Sequence, residues 1–251
     1  MSPDLVEYLL RLGDDALIAA QRLAGWCSRA PDLEEDVALA NIALDQLGVA
    51  RALLSYAGEL EGAGRDEDAL AYLRDDRDFR NCLLVELDNG DFGVTVAKLL
   101  FLAAYQKALY DWLTGSFDGR LAGIAAKARK ESAYHLDHSA LWTVRLGDGT
   151  DESHRRMQSA VDEVWPYTHE LFEPDDVAQR LDVAGIAVHP GTLRPQWMST
   201  VDAVLADATL TRPADGGWAP TGGRYGRHTE ALSYLLGEMQ VLHRAHPGAH
   251  W

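Results

Sequence analysis

The stretch that decides the fold is PDLEEDVALANIALDQLGVARALLSYAGEL, residues 31–60. Its apolar side chains recur at steps of three and four, which predicts one long helix. They form two stripes, the first with Leu33, Val37, Ala40, Leu44, Leu47 and Leu54, and the second with Leu39, Ile42, Val49 and Leu53. A helix that is apolar on two sides is normally surrounded by other helices. The sequence therefore predicts a helical bundle with this helix inside it.

Further helices are predicted on both sides of this segment. Asp32 is the predicted N-cap of the central helix and Gly62 closes it. The other predicted helices cover about residues 3–28, two short pieces within 66–87, 92–116, 120–146, 151–171, 175–183, 191–210 and 228–245. Long helices with short connections are typical of an antiparallel bundle. We expect one all-α domain over residues 1–251, with a bundle core at about 3–146 and additional C-terminal helices with Gly/Pro-rich connections at about 150–251.

Composition excludes several classes of function. The chain has 23 Lys and Arg against 39 Asp and Glu, a formal net charge of -16, and nucleic-acid binding needs a basic surface instead. We find neither a signal-peptide pattern nor an uninterrupted apolar run of roughly 18 residues, as a membrane span requires. The two cysteines, Cys27 and Cys82, have no metal-binding spacing and are expected to be reduced core thiols. These features predict a cytoplasmic protein with no nucleic-acid or membrane partner.

Two helices carry the remains of a metal-ligand pattern. A carboxylate-bridged di-iron bundle takes one Glu from each of two helices and Glu-x-x-His from each of the other two. Here Asp45-Gln-Leu-Gly48 has a glycine at the histidine position, and Glu131-Ser-Ala-Tyr134 has a tyrosine there. His135 comes one residue late, and one residue turns a helix by about 100°. We interpret this pattern as a bundle whose metal site has eroded.

A metal-free polar cluster is the structure we expect in its place, formed by Asp45, Lys98, Glu131 and His135. Two buried carboxylates without a cation repel each other, and one of them would have to take up a proton. The Lys98 ammonium could neutralise them in the role that iron has in a catalytic relative. The simpler alternative is that Glu131 and His135 only satisfy neighbouring polar groups at a helix interface.

Three arginines crowd the segment RDDRDFRN, residues 74–81. Arg74, Arg77 and Arg80 could contact a polyanionic ligand such as coenzyme A. The aspartates between them, Asp75, Asp76 and Asp78, favour a solvated surface with local salt bridges instead.

Several separated blocks of the sequence, in a fixed order, are specific enough to indicate a family. They are the blocks at residues 10–14 (LRLGD), 38–51 (ALANIALDQLGVAR), 74–92 (RDDRDFRNCLLVELDNGDF), 130–139 (KESAYHLDHS), 146–151 (LGDGTD) and 227–240 (RHTEALSYLLGEMQ). In these blocks the chain resembles the C subunits of multicomponent phenylacetyl-CoA epoxidases, which are phenylacetyl-CoA monooxygenases. The resemblance extends over essentially the whole chain.

The resemblance implies a ferritin-like fold and a structural role. It implies that a homologous A subunit holds the di-iron centre, that a small B subunit bridges assemblies, and that a reductase subunit delivers electrons. This chain would then have no cofactor and no catalytic residues of its own. Phenylacetyl-CoA would bind near the interface with the A subunit. The residues we expect to contact it are Arg77, Asp78, Phe79, Arg80, Asn81, Gln179 and Arg180.

Two alternatives from other classes stay open at this stage. The chain could be a di-iron oxidase in its own right, with an unusual ligand set that includes Asp45, Glu131 and His135. It could also be a ferritin-type iron store or an unrelated helical scaffold. Iron content distinguishes the first alternative from the structural role, and co-purification with a partner distinguishes the second.

Overall fold

The computed structural model describes residues 3–249, and these residues form helices, turns and connections without any strand. The all-α prediction is therefore confirmed for this part of the chain, whereas residues 1, 2, 250 and 251 of the predicted domain lie outside the described residues. The α-helices are α1 (Pro3–Ala24), α2 (Leu33–Glu61), α3 (Glu67–Tyr72), α4 (Leu83–Glu86), α5 (Phe92–Leu113), α6 (Gly119–Gly147), α7 (Asp151–Val164), α8 (Asp176–Val183), α9 (Arg194–Asp207) and α10 (Glu230–Ala245).

The helices belong to two compact units. The first unit contains the described residues up to Asp88 and those from Thr221 onward. Within it α1 packs along α2, and α10 packs against α3 and α4. The second unit runs from Asn89 to Pro220, with α5 packed along α6 and with α7 and α9 packed against this pair. The C-terminal helices are thus divided, because α10 lies in the first unit and α7, α8 and α9 lie in the second.

Local sequence signals set the ends of the long helices. The Asp32 carboxylate accepts a hydrogen bond from the Glu35 backbone N–H at 2.8 Å, and α2 ends at Gly62 in the left-handed conformation with φ +70°. This pair is the cap that the sequence predicts. The helix predicted to continue to residue 171 instead changes at Trp165–Phe172 into a 3-10 helix with a proline in its first turn. Pro166 explains the change, because proline has no N–H for the next α-helical hydrogen bond.

The two apolar stripes of α2 have different surroundings. The second stripe is buried, with Leu39, Ile42 and Leu53 at most 1% exposed. The first stripe is largely exposed between Leu33 and Leu47. The prediction that other helices of the chain surround α2 is therefore wrong on this side. Periodicity identifies the apolar positions of a helix, but it does not say whether the same chain covers them.

Two helices, α2 and α5, are long and apolar enough by length and composition to cross a membrane. The search for an uninterrupted apolar run in the sequence misses both helices, because each contains a few polar residues. Helix α5 is buried almost throughout, as the core helix of a globular unit is, whereas less than half of the most apolar window of α2 is buried. The two thiols also differ, since Cys82 is buried and Cys27 is exposed, contrary to the prediction of two core thiols.

Candidate functional site

The polar centre of the first unit begins on α1, where two consecutive aspartates are buried. Asp14 is 0% exposed and Asp15 is 3% exposed. A buried carboxylate without partners costs several kcal/mol, so each needs a cation or several hydrogen bonds. Each aspartate has an arginine from a distant part of the chain as its partner.

Asp14 is paired with Arg74, whose side chain is 3% exposed. Arg74 Nη1 donates to Oδ2 of Asp14 at 3.0 Å, and Nη2 donates to Oδ1. The backbone N–H of Arg80 donates to the same Oδ2 at 2.8 Å. Burial raises the pKa of the Asp14 carboxyl above its ordinary value of 3.8, although the Arg74 guanidinium opposes that rise. The guanidinium also lies 4.3 Å from the centroid of the Phe79 ring. These contacts fix residues 74–80 against α1.

Asp15 is paired with Arg224, which follows it by 209 residues. Arg224 donates to both carboxylate oxygens, at 2.9 and 2.7 Å, and also to the backbone carbonyl of Arg80 at 2.9 Å. The backbone N–H of Cys82 donates to Oδ1 of Asp15 at 2.7 Å. A two-pronged arginine–carboxylate contact fixes orientation as well as charge. It thereby attaches the segment before α10 to α1.

The third pair joins Glu86 of α4 to His228, just before α10. His228 Nδ1 lies 2.7 Å from Oε2 of Glu86, and the side chains of this pair are 3% and 0% exposed for His228 and Glu86 respectively. The backbone N–H of Thr229 donates to Oε1 of Glu86 at 2.6 Å, and Asn81 Nδ2 donates to Oε2 at 2.8 Å. Three donors thus converge on one buried carboxylate.

The contacts of His228 indicate a protonated ring. Its Nε2 lies 3.1 Å from the carbonyl oxygen of Phe79, which can only accept, and its Nδ1 faces the carboxylate of Glu86. Both nitrogens are therefore placed to donate, and only the imidazolium form has two N–H groups. Burial alone lowers the pKa of His228, but the hydrogen bond and the charge of Glu86 outweigh burial and raise the pKa above its ordinary value of 6.5.

These three ion pairs form a buried core that holds several segments of the first unit together. Each carboxylate is engaged by side-chain and backbone donors from two or more segments. The pairs attach residues 74–86 and the chain from residue 222 onward to α1. Sequence reasoning missed this core, although one signal was present: two adjacent aspartates in the middle of a helix whose neighbouring residues are mostly apolar.

In the second unit, the structure places three of the predicted polar-cluster residues in partly or fully buried positions. Lys98 is 8% exposed, with its Nζ 3.4 Å from Oδ1 of Asn89. His135 is 1% exposed, and Glu131 forms an ion pair at 3.4 Å with Lys127 one turn earlier. Asp45 is half-buried on α2 in the first unit. That these side chains form one metal-free cluster stays a prediction.

The positions of the eroded metal-ligand pattern do not fit a di-iron centre. Gly48 offers no ligand atom, and Tyr134 is 59% exposed. Among residues 3–249, no group of three or more His, Cys, Asp or Glu side chains is arranged to hold a metal ion. The donor set that a carboxylate-bridged pair of irons needs is therefore not assembled in the described part of this chain.

The predicted substrate-contact residues lie in different environments. Phe79 is 0% exposed beneath Arg74, and Asn81 is 0% exposed on Glu86. The side chain of Arg80 donates to the carbonyls of Arg77 and Phe79 at 2.8 and 2.9 Å. The remaining residues of the set are exposed, namely Arg77, Asp78, Gln179 and Arg180. Arg77 and Asp78 border an open pocket of about 540 Å³ against α10. Their contact with substrate stays a prediction.

The fold defines an all-α protein of long paired helices, and its first unit contains a core of buried ion pairs. The chain belongs to the phenylacetic acid catabolic protein family, whose model matches residues 1–251. It is also 51% identical over 247 residues to the C subunit of 1,2-phenylacetyl-CoA epoxidase from Escherichia coli (strain K12), a match that covers 98% of this chain and 99% of the relative.

Proposed function

We propose that this chain is the structural subunit of a bacterial multicomponent di-iron oxygenase that epoxidises the aromatic ring of phenylacetyl-CoA. The observation that carries the proposal is the full-length identity to the C subunit of such an epoxidase. At that identity the helices and their core pairs are expected to be shared, so the same place in an assembly is the simplest inference. In this proposal the chain holds no cofactor of its own and is located in the cytoplasm.

The division of chemistry within the proposed complex is the one that the family resemblance implies. A homologous A subunit holds the di-iron centre and activates oxygen, a reductase subunit supplies electrons, and a small B subunit bridges assemblies. This chain supplies rigid helices that stabilise the A subunit and help to shape the acyl-CoA site. The glycine and the exposed tyrosine at two ligand positions support this division, because neither position can provide the imidazole that iron needs.

Co-elution tests this proposal directly. The chain is co-expressed with a di-iron A subunit and examined by size exclusion at micromolar concentration. We expect one peak that contains both chains, because large obligate interfaces persist at that concentration. Two separate peaks would contradict the proposal. Oxygen-dependent turnover of phenylacetyl-CoA by the chain without the A subunit would instead favour an independent oxidase.

A further inference from the structure

We propose that the exposed stripe of α2 is the surface on which a long helix of the oxygenase partner subunit docks. We call this surface the α2 seam and define it as Leu33, Val37, Ala40, Leu44 and Leu47. The inference rests on the proposed function for the existence of that partner, and it adds which face of this chain the partner covers and what chemistry the partner presents there.

The seam is unusually exposed for its composition. Leu33 is 74%, Val37 54%, Leu44 64% and Leu47 45% exposed. Single exposed leucines are ordinary on protein surfaces, whereas an aligned series of them marks an interaction site. From Leu33 to Leu47 the seam is about 21 Å long at 1.5 Å per residue.

The spacing of the seam identifies its occupant as a helix. The positions alternate by four, three, four and three residues, which is the repeat of a left-handed helix pair. In such a pair, side chains of one helix insert between those of the other at a crossing angle of about 20°. Ala40 in the middle of the seam and Gly48 beside its end are small, so a partner backbone can approach closely.

A pocket at the C-terminal end of the seam offers an anchor point. It has a volume of about 340 Å³ and a mixed lining, with the apolar or aromatic side chains Leu17, Leu47, Leu54 and Tyr72 and the charged side chains Arg51, Glu67 and Asp68. All of these residues belong to the first unit. Tryptophan, tyrosine and arginine, the side chains enriched among residues that dominate binding energy at interfaces, suit such a mixed lining. The partner helix is therefore expected to place such a side chain opposite Leu47.

Charge distinguishes the partner subunit from other possible occupants. The seam is bordered by the acidic Glu34 and the neutral Asn41 on one side and by the acidic Asp36 on the other, with Arg51 one turn beyond Leu47, and the whole chain carries a formal net charge of -16. Two copies of this surface would bring acidic borders together, and an anionic lipid surface would repel them as well. A helix with an apolar seam and lysine or arginine borders satisfies both the shape and the charge.

The test uses the full chain and the purified di-iron A subunit. Wild type, Leu44→Glu/Leu47→Glu and the control Val183→Glu are compared by biolayer interferometry, with circular dichroism of each variant. Val183 is 84% exposed on α8, outside the seam. We expect the double variant to raise the Kd for the A subunit at least 100-fold and the control to leave it within about 2-fold. Val37→Gln/Leu44→Gln is the milder pair if the double glutamate variant loses helicity, with an expected increase of at least 10-fold.

The outcomes separate the inference from the proposed function. If wild type does not bind the A subunit, the proposed function fails. If wild type binds and the seam variants bind equally well, the function stands and the seam inference is overturned. A wild-type homodimer in light scattering that the seam variants dissociate would assign the seam to a second copy. Binding of the wild type to phosphatidylglycerol vesicles that the seam variants abolish would assign it to a membrane. Either result overturns the inference.

Discussion

Replacement of Arg74 by methionine tests the buried core of the first unit most sharply. The substitution keeps most of the side-chain length but removes the guanidinium that pairs with Asp14. Asp14 is 0% exposed and would retain the backbone N–H of Arg80 as a hydrogen-bond donor. Loss of one partner from a buried pair costs about 3–5 kcal/mol. That cost is a large share of the roughly 5–15 kcal/mol that stabilise a typical domain.

Urea unfolding of the full chain, followed by far-UV circular dichroism, measures this effect. The matched control is Arg51→Met, because Arg51 forms an ion pair with Glu67 at 3.1 Å but its side chain is 76% exposed. An exposed pair contributes about 0–1 kcal/mol. Asp14→Asn combined with Arg74→Met should recover part of the loss, since the amide oxygen still accepts from Arg80 and no charge is left buried. Equal losses for Arg74→Met and Arg51→Met would refute the argument.

Three further predictions follow from the same structure. The raised pKa of His228 means that its pair with Glu86 stabilises the fold fully below about pH 6.5 and less as the pH rises through the folded-state pKa. The wild-type free energy of unfolding should therefore fall between pH 6 and pH 8.5, and His228→Gln should make that fall smaller. An unchanged pH profile would show that the ring does not titrate in this range. Arg77→Glu should raise the KM of the reconstituted complex for phenylacetyl-CoA without preventing assembly, because this side chain is exposed; an unchanged KM removes Arg77 from the substrate site. Lys98→Met should destabilise the chain by roughly 3–5 kcal/mol if Lys98 neutralises buried carboxylates, whereas a loss below about 1 kcal/mol in thermal or urea unfolding would exclude that role.

The sequence predicted the helices well because their signals are local. Asp32 and Gly62 cap α2 as expected, and a three-and-four repeat of apolar residues identifies each long helix. The sequence did not predict the ion pairs, since Asp14 lies 60 residues from Arg74 and Asp15 lies 209 residues from Arg224. The sequence grouped Arg74 with surface arginines, because the nearby aspartates could account for its charge without a distant partner.

At the metal-ligand positions, only the residue types could be predicted from the sequence. The glycine at residue 48 and the tyrosine at residue 134 are visible in the sequence, so a weakened ligand set follows without coordinates. The exposure of Leu44 and Leu47 could not be foreseen, because a repeat looks the same whether its partner helix belongs to the same chain or to another one.

The most direct test of the central claim is the iron content of the separated subunits after anaerobic Fe(II) loading. The complex is loaded, desalted and resolved into its chains under non-denaturing conditions, and iron is measured by inductively coupled plasma mass spectrometry. The structural role predicts about two irons per A subunit and less than about 0.1 per copy of this chain, in line with the two-iron carboxylate sites of catalytic bundles. Stoichiometric iron in this chain, lost together with epoxidase activity in an Asp45→Ala complex, would contradict the account and make this chain a second catalytic subunit.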